Sequence, residues 1–125
     1  MPTTDHDRVH TALPVDECLQ LLTTAPVGRL AYTQSALPAV RPVTFRVAEG
    51  ELRIPAQLGS PLLHAVQDAV VAVEADAYDD ALTGWTVTVV GHSRVLDPGS
   101  VEAPAGTRLI AVQLGLIRGW WTAAG

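Results

Sequence analysis

The segment AQLGSPLLHAV, residues 56–66, has the residue order of a turn that leads into a helix. Gly59 suits the bend, Ser60 is a preferred N-cap residue, and Pro61 is favoured in the first helical turn. A helix start can bind an anion, because its unpaired backbone N–H groups and the helix dipole favour negative charge. No Lys or Arg adjoins this segment, and Pro61 has no N–H to donate. Three interpretations stay open: a phosphate site, a phosphate site that has lost its affinity, or an ordinary helix start.

Two histidines near the N-terminus have a spacing that could suit a metal site. His6 and His10 are four residues apart, and Asp5 and Asp7 lie beside them. The segment has no helical periodicity, however, and residues 1–12 are polar and aperiodic. We therefore expect a flexible tail over 1–12 and no metal site.

Four acidic residues lie close together in the middle of the chain. Glu74, Asp76, Asp79 and Asp80 lack the glycine and the ligand spacing of a calcium-binding loop. We expect a solvated turn near a strand end.

The sequence has no motif of nucleophilic catalysis or of a glycine-rich nucleotide loop. It contains no G-x-S-x-G segment, and Ser60 has no evident base partner. Walker and dinucleotide fingerprints are also missing from it. We therefore predict no catalytic side chain.

Two aromatic and two imidazole side chains could contact a ligand. Trp120 and Trp121 could pack in the core or in a dimer, or stack on a ring-shaped ligand. His64 and His92 could each serve as a haem ligand, although a lone His is more often structural.

The composition indicates one globular domain. The chain has 125 residues, 48% of them hydrophobic and only 5% aromatic, so we expect an aliphatic core. The formal charge is −5 and all eight basic residues are Arg, which argues against a nucleic-acid partner. Cys18 is alone, so it forms no disulfide within the chain. No signal peptide or membrane-spanning run is evident, and we expect a cytoplasmic protein without a membrane partner.

The hydrophobic pattern predicts a mainly β fold. LPVDECLQLLTTAPVG is typical of a short helix, and a second helix begins at Ser60. About six strands are expected, with a tight turn at Glu49-Gly50 and a bulge or close backbone approach at Gly91. Many short strands in a chain of this size favour a small barrel, because closure removes exposed edges.

Four segments, in this order and spacing, resemble one family. ECLQLLTTAPVGRLAY, PAVRPVTF, LGSPLLHAV and GWTVTVVGHSRVL are similar to the pyridoxamine 5′-phosphate oxidase-like FMN-binding split-barrel family, which includes nitroimidazole-resistance-type proteins. The resemblance implies a six-stranded split β-barrel over 13–125, with a short N-terminal helix and one inserted helix. It also implies a homodimer with two FMN sites between the subunits.

The resemblance implies a set of cofactor-binding positions. One strand lies beneath the isoalloxazine ring, and the next passes near the ribityl chain and the phosphate. A Gly-Ser-Lys element binds the phosphate, and a further position faces the cofactor, often from the partner subunit. The matching residues, in that order, are Arg41, Pro42, Val43 and Thr44; Ile54, Pro55 and Ala56; Gly59 and Ser60; Trp85 and Thr86.

The chain departs from the family pattern at the phosphate. Pro61 stands where such proteins often have Lys, so a positive charge and a backbone donor are both lost. Losing one charge-assisted hydrogen bond would weaken FMN binding by about ten- to a hundredfold. Arg41 and Arg53 are the candidates to compensate, since each lies on a strand expected to border the site.

The resemblance implies an FMN-dependent oxidoreductase that passes hydride or electrons to a small organic acceptor, such as a nitro compound or a quinone. Because the cofactor performs the chemistry, no protein nucleophile is needed. A deazaflavin coenzyme could take the place of FMN, although the chain has no Arg cluster for its acidic tail. A non-catalytic flavin- or haem-binding module and a barrel that has lost its cofactor are also compatible with the sequence.

Overall fold

The computed structural model describes residues 8–124, which form nine strands and two helices. The helices are α1 (Val15–Leu22) and α2 (Pro61–Ala65). The strands are β1 (Arg8–Ala12), β2 (Gly28–Gln34), β3 (Leu37–Val43), β4 (Arg46–Ala48), β5 (Glu51–Gln57), β6 (Ala69–Tyr78), β7 (Gly84–Val95), β8 (Thr107–Gln113) and β9 (Leu116–Ala124).

All the strand pairs are antiparallel and belong to one sheet. Its order is β3-β2-β6-β7-β8-β5-β4, and β9 pairs with both β7 and β1. The prediction of a mainly β split barrel with a short N-terminal helix and one inserted helix is confirmed. The strand count exceeds six because β1 and β4 are short additional strands and the C-terminal segment divides into β8 and β9.

The prediction of a flexible tail over 1–12 is wrong for residues 8–12. These residues form β1, which pairs with β9 from Arg8↔Ala124 to Ala12↔Trp120. His10 Nδ1 lies 3.0 Å from Thr122 Oγ1 within this ladder. Polar residues can form such a strand because backbone groups make the pairing and need no apolar face. The remainder of the predicted tail, with His6, lies outside the described residues.

The core is aliphatic, as the composition predicts. Leu30 on β2 and Val87 and Val89 on β7 are fully buried, and α1 adds Cys18 and Leu22. Burying each aliphatic side chain of this size stabilises the fold by about 1.5–3 kcal/mol. No helix within residues 8–124 is long and apolar enough to cross a membrane.

A two-residue turn sets the register between β4 and β5. Glu49 and Gly50 both have positive φ, 51° and 77°, as a tight hairpin turn of this kind requires. The register places Arg46 directly opposite Arg53.

The close backbone approach predicted at Gly91 is confirmed. A Cβ at this position would lie 1.9 Å from the carbonyl oxygen of Gln113. Only glycine fits there, because no larger side chain could share that space with the backbone of β8.

Candidate functional site

A cavity of about 500 Å³ lies against the outer side of β5. Its volume is within the range of small-molecule sites in proteins. Residues 101–104 of the loop between β7 and β8 form one side. The strands and the β3–β4 connection contribute Thr44, Phe45, Arg46, Arg53, Pro55 and Leu109.

Strand alternation explains which residues of β5 reach this cavity. Leu52, Ile54 and Ala56 point into the barrel and belong to the core. Successive side chains point to opposite faces of a strand, so Arg53 and Pro55 face outward and line the cavity. The strand therefore separates the aliphatic core from the cavity, whose lining contains both polar and apolar side chains.

Arg53 is held by carboxylates on both sides. Its Nε donates to Glu51 Oε1 at 3.0 Å, and its Nη2 donates to Glu49 Oε2 at 3.0 Å. The hydrogen bond to Glu51 raises the pKa of the Arg53 guanidinium above its usual value. Glu51 Oε2 also lies 3.2 Å from Arg94 Nη2. Arg53 is therefore fixed as a permanent cation at the cavity wall.

Glu51 connects Arg53 and Arg94 across a small residue of the neighbouring strand. Ala111 on β8 is opposite Arg53 on one side and opposite Arg94 on the other. Because Ala111 has only a methyl group, the Glu51 carboxylate can reach both guanidinium groups. Arg53 and Glu51 side chains are only 10% and 11% exposed, so this ion pair is largely removed from water.

The turn from β5 to α2 has a buried hydroxyl in place of the ion pairs around Arg53. Gly59 has φ +75°, a conformation that L side chains rarely adopt. Ser60 occupies the N-cap position of α2 but makes no side-chain cap. Its Oγ is buried without a hydrogen-bond partner among residues 8–124. A buried hydroxyl left unpaired costs free energy, and a ligand oxygen could satisfy it.

The structure separates the predicted cofactor-binding residues into groups. Only Thr44 and Pro55 line the cavity. Gly59 and Ser60 form the β5–α2 turn, and Arg41 and Pro42 are exposed on the edge strand β3. The predicted residues that lie in the core are Val43, Ile54, Ala56 and Trp85. Arg41 lines none of the described cavities, whereas Arg53 does.

Trp85 and Thr86 lie on opposite faces of β7. Trp85 is 6% exposed and packs in the core of its own chain. Thr86 Oγ1 hydrogen-bonds the Tyr78 hydroxyl on the outer face. The expected contact of these two residues with a cofactor stays a prediction.

His64 and His92, the two candidate haem ligands, do not line an apolar cavity among the described residues. His64 is exposed on α2 and lines a polar hollow with Gln67 and Arg108. His92 Nε2 lies 2.5 Å from Asp68 Oδ1 at the surface. Within the described part of the chain, no three metal-ligating side chains come together.

The acidic residues divide between a strand and a turn. Asp79 accepts hydrogen bonds from Ala81 N and Thr83 N in the β6–β7 turn. Glu74 and Asp76 instead lie on β6, so the prediction of a solvated turn is wrong for both.

On β6, the two carboxylates share one cation, since Arg29 Nη1 lies 3.2 Å from Glu74 and 3.5 Å from Asp76. Burial and the neighbouring Asp76 carboxyl raise the pKa of Glu74 to about 7. The positive charge of Arg29 lowers the pKa of Glu74, but by less than burial and Asp76 raise it.

Arg46 is a cationic residue of the cavity lining that the sequence analysis did not single out. The segment RVAEGELR, residues 46–53, contains the signal that could have revealed it. A two-residue turn at Glu49-Gly50 places residues 46 and 53 opposite each other. The turn is evident from the sequence, and the pairing of the two arginines follows from the register that it sets.

Residues 14–113 match the model of the pyridoxamine 5′-phosphate oxidase family, and the chain belongs to that family. An uncharacterised protein of Mycobacterium tuberculosis (strain ATCC 25618 / H37Rv) is 39% identical over 93 residues. That match includes 69% of this chain and 61% of the relative, so the chain spans about three fifths of the relative's length.

Two solved structures from Mycobacterium smegmatis have the same fold. The FAD binding protein superposes with a TM-score of 0.77 at 25% identity, over 92% of this chain and 98% of that one. The FAD and haem binding protein superposes with a TM-score of 0.74 at 19% identity, over 94% of this chain and 74% of that one.

Proposed function

We propose that this chain binds FMN and is an oxidoreductase that passes hydride or electrons to a small organic acceptor. The observation that supports it best is the buried, unpartnered hydroxyl of Ser60, at the end of the strand that lines the cavity. Membership of the family and the similarity to an FAD binding protein support a flavin as the ligand.

The residues of the site fit a flavin in two places. The Ser60 hydroxyl can donate to a phosphate oxygen, which would satisfy its missing hydrogen bond. Phe45, Pro55 and Leu109 give the cavity an apolar surface for a planar ring, and Thr44 adds a hydroxyl. When bound, FMN supplies the redox chemistry, and these residues bind it, orient it and exclude water.

Arg53 is not placed to replace the family's lysine at the phosphate. Four residues of strand, about 13 Å, separate Arg53 from Gln57 at the end of β5. Arg53 is also bound to Glu49 and Glu51. We therefore propose that the phosphate is bound chiefly by neutral donors, with lower affinity than a lysine would give.

We also propose that the chain forms a homodimer through the outer face of the sheet. One row across four strand pairs consists only of apolar residues: Val40, Ala31, Ala72, Val90 and Leu116. Val40 and Leu116 are 68% and 48% exposed in the single chain. A second copy would cover this row, and light scattering of the purified chain would report twice the mass of 13.2 kDa.

A haem-binding function gains no support from His64 and His92. One of the similar structures is described as binding haem, but His64 and His92 are both at the surface here. A binding module without catalysis is the alternative that the experiment must separate from an oxidoreductase.

A titration with FMN, FAD and riboflavin, followed by flavin fluorescence, tests the proposal. We expect FMN to bind with a micromolar dissociation constant or tighter. Ser60→Ala should weaken FMN about tenfold and leave riboflavin, which has no phosphate, unchanged. Ser35→Ala is the matched control, because Ser35 is exposed in the turn between β2 and β3 and does not line the cavity.

Two outcomes would contradict the proposal. If no flavin binds, both the proposed cofactor and the proposed activity are contradicted. Flavin that binds, but whose reduced form does not react with nitro or quinone acceptors, would indicate a binding module.

A further inference from the structure

The apolar row on the outer face of the sheet has its small residues off centre. From β3 to β9 it consists of Val40, Ala31, Ala72, Val90 and Leu116. The middle residue is Ala72 on β6, with a small residue on the β2 side and larger residues on the β7 side. Two copies of a face pack well only where large side chains of one copy meet small side chains of the other.

A two-fold axis along β6 gives this complementarity. It would place Ala31 against the partner subunit's Val90, and Val40 against the partner subunit's Leu116. Only Ala72 would then face its own copy. An axis across the strands would instead place every residue of the row against itself and leave two adjacent gaps at the alanines. Homodimers commonly have a two-fold axis, and the size pattern favours the axis along β6.

The same axis would bring two carboxyl groups together. The next row on this face contains charged residues and consists of Pro42, Arg29, Glu74, Thr88 and Arg118. Glu74 lies on β6, two residues from Ala72, so it would also face its own copy. Arg29 would lie against the partner subunit's Thr88, about 5 Å to the side of the axis.

The charges around Glu74 leave an excess of carboxylates at this axis. Arg29 on β2 contacts both Glu74 and Asp76, at 3.2 Å and 3.5 Å. On β7 the opposite residue is the uncharged Thr88, and Arg118 on β9 is a further strand away, about 10 Å from β6. Two copies would therefore bring four carboxyl groups to the axis with only two Arg29 guanidinium groups. Two bound protons would balance this charge.

We propose that the homodimer is proton-linked: the two Glu74 carboxyl groups meet at a two-fold axis along β6 and hold protons there, so the dimer weakens as the pH rises. The inference rests on the proposed function only for the existence of the homodimer. It is independent of the flavin and of the acceptor.

The direction of the pH effect follows from the environment of Glu74. In the single chain, burial and the Asp76 carboxyl already raise the pKa of Glu74 to about 7. A second copy would remove more water and add a second carboxyl group, and both changes raise the pKa of Glu74 further. The dimer therefore binds protons more tightly than the separate chains. Its extra stability is present below about pH 7 and is lost as the pH rises above that value.

Sedimentation of the full chain at pH 6 and pH 8 tests the proton linkage. The dissociation constant of the dimer should rise about tenfold or more between these pH values, because protons must be released. Glu74→Gln has nearly the same shape and cannot ionise, so its dimer should be about equally tight at both pH values. Glu17→Gln is the matched control, because it removes an exposed carboxylate on α1 and should keep the pH dependence of the unaltered chain.

Two results would overturn the proton linkage and leave the homodimer in place. One is a dimer whose dissociation constant is the same at pH 6 and pH 8. The other is a pH dependence that Glu74→Gln retains. A chain that is monomeric at both pH values would contradict the homodimer itself, and flavin binding would still be tested separately by titration.

Cross-linking with a short bismaleimide tests the position of the axis. Cys18 is fully buried, so an introduced thiol should be the reactive one. Ala72→Cys should cross-link to its own copy. Val40→Cys should cross-link only when it is mixed with Leu116→Cys, since these positions meet across the axis along β6. Cross-linking of Val40→Cys to itself, or no cross-linking of Ala72→Cys, would overturn this axis and with it the contact between the Glu74 side chains.

Discussion

The two ends of β5 offer a ligand opposite kinds of surface. At one end, Arg53 is fixed by two carboxylates and faces a second arginine, Arg46. At the other end, the turn through Gly59 and Ser60 has a buried hydroxyl and no Lys or Arg next to it in sequence. The charged end keeps its own counterions in the folded chain, whereas the neutral end has a buried donor that no residue within 8–124 satisfies.

The difference indicates how each end would recognise its ligand. Ion pairs that are already formed fix Arg53 in place and limit how much of its charge an added anion experiences. A hydroxyl with no partner contributes its full hydrogen bond only when the ligand arrives. We therefore expect mutations at the Arg53 end to affect stability first, and mutations at the Ser60 end to affect ligand affinity first.

The largest expected effect is on stability at the charged end. Glu51→Gln removes the carboxylate that bridges Arg53 and Arg94, and leaves the largely buried Arg53 paired only with the exposed carboxylate of Glu49 among the described residues. The melting temperature, followed by circular dichroism, should fall by on the order of 10 °C. Glu49→Gln is the control, because the Glu49 side chain is 82% exposed and its ion pair should contribute little. Equal shifts for the two variants would contradict the bridging role of Glu51.

The next effect concerns affinity at the neutral end. Pro61 is exposed at the first position of α2, so Pro61→Lys should fold and restore a charge near Ser60. FMN affinity, measured by fluorescence quenching, should rise about tenfold, and riboflavin affinity should not change. Gln20→Lys adds the same charge on α1 and should have no such effect. An unchanged FMN affinity would place the phosphate elsewhere.

The smallest expected effect concerns a third charged group, Glu74, which lies on the outer face of the sheet away from β5. Its pKa of about 7 means that folded Glu74 holds a proton more tightly than the unfolded chain, where the ordinary value is 4.5. The folded state therefore loses stability as the pH rises from about 4.5 through 7. Glu74→Gln cannot ionise, so its melting temperature relative to the unaltered chain should be higher at pH 8 than at pH 5. The same difference at both pH values would contradict the raised pKa.

The strands that position the site could be predicted from the sequence. GRLAYTQ places Leu30 and Tyr32 two residues apart, as a strand with one buried face requires, and β2 begins and ends with that segment. The close approach at Gly91 was also predictable, since an isolated glycine within a strand is typical of one. By contrast, the residues of β1 have no apolar alternation, and their pairing depends on the edge that β9 offers.

The site residues stay predictions. Thr44 and Pro55, which the family pattern gives as cofactor-binding positions, line the cavity, and their contact with a cofactor is untested. The burial of the Ser60 hydroxyl could not be predicted, since it depends on how α2 packs against the barrel. The pairing of Arg53 with Glu51, by contrast, follows from strand alternation, because residues two apart lie on the same face of β5.

A crystal structure of the chain soaked with FMN tests the central claim most directly. We predict a phosphate oxygen within hydrogen-bonding distance of Ser60 Oγ and a flavin ring in the cavity beside Thr44 and Pro55. A phosphate bound between Arg46 and Arg53, with the Ser60 hydroxyl still unpaired, would contradict this placement and reverse the roles of the two ends of β5.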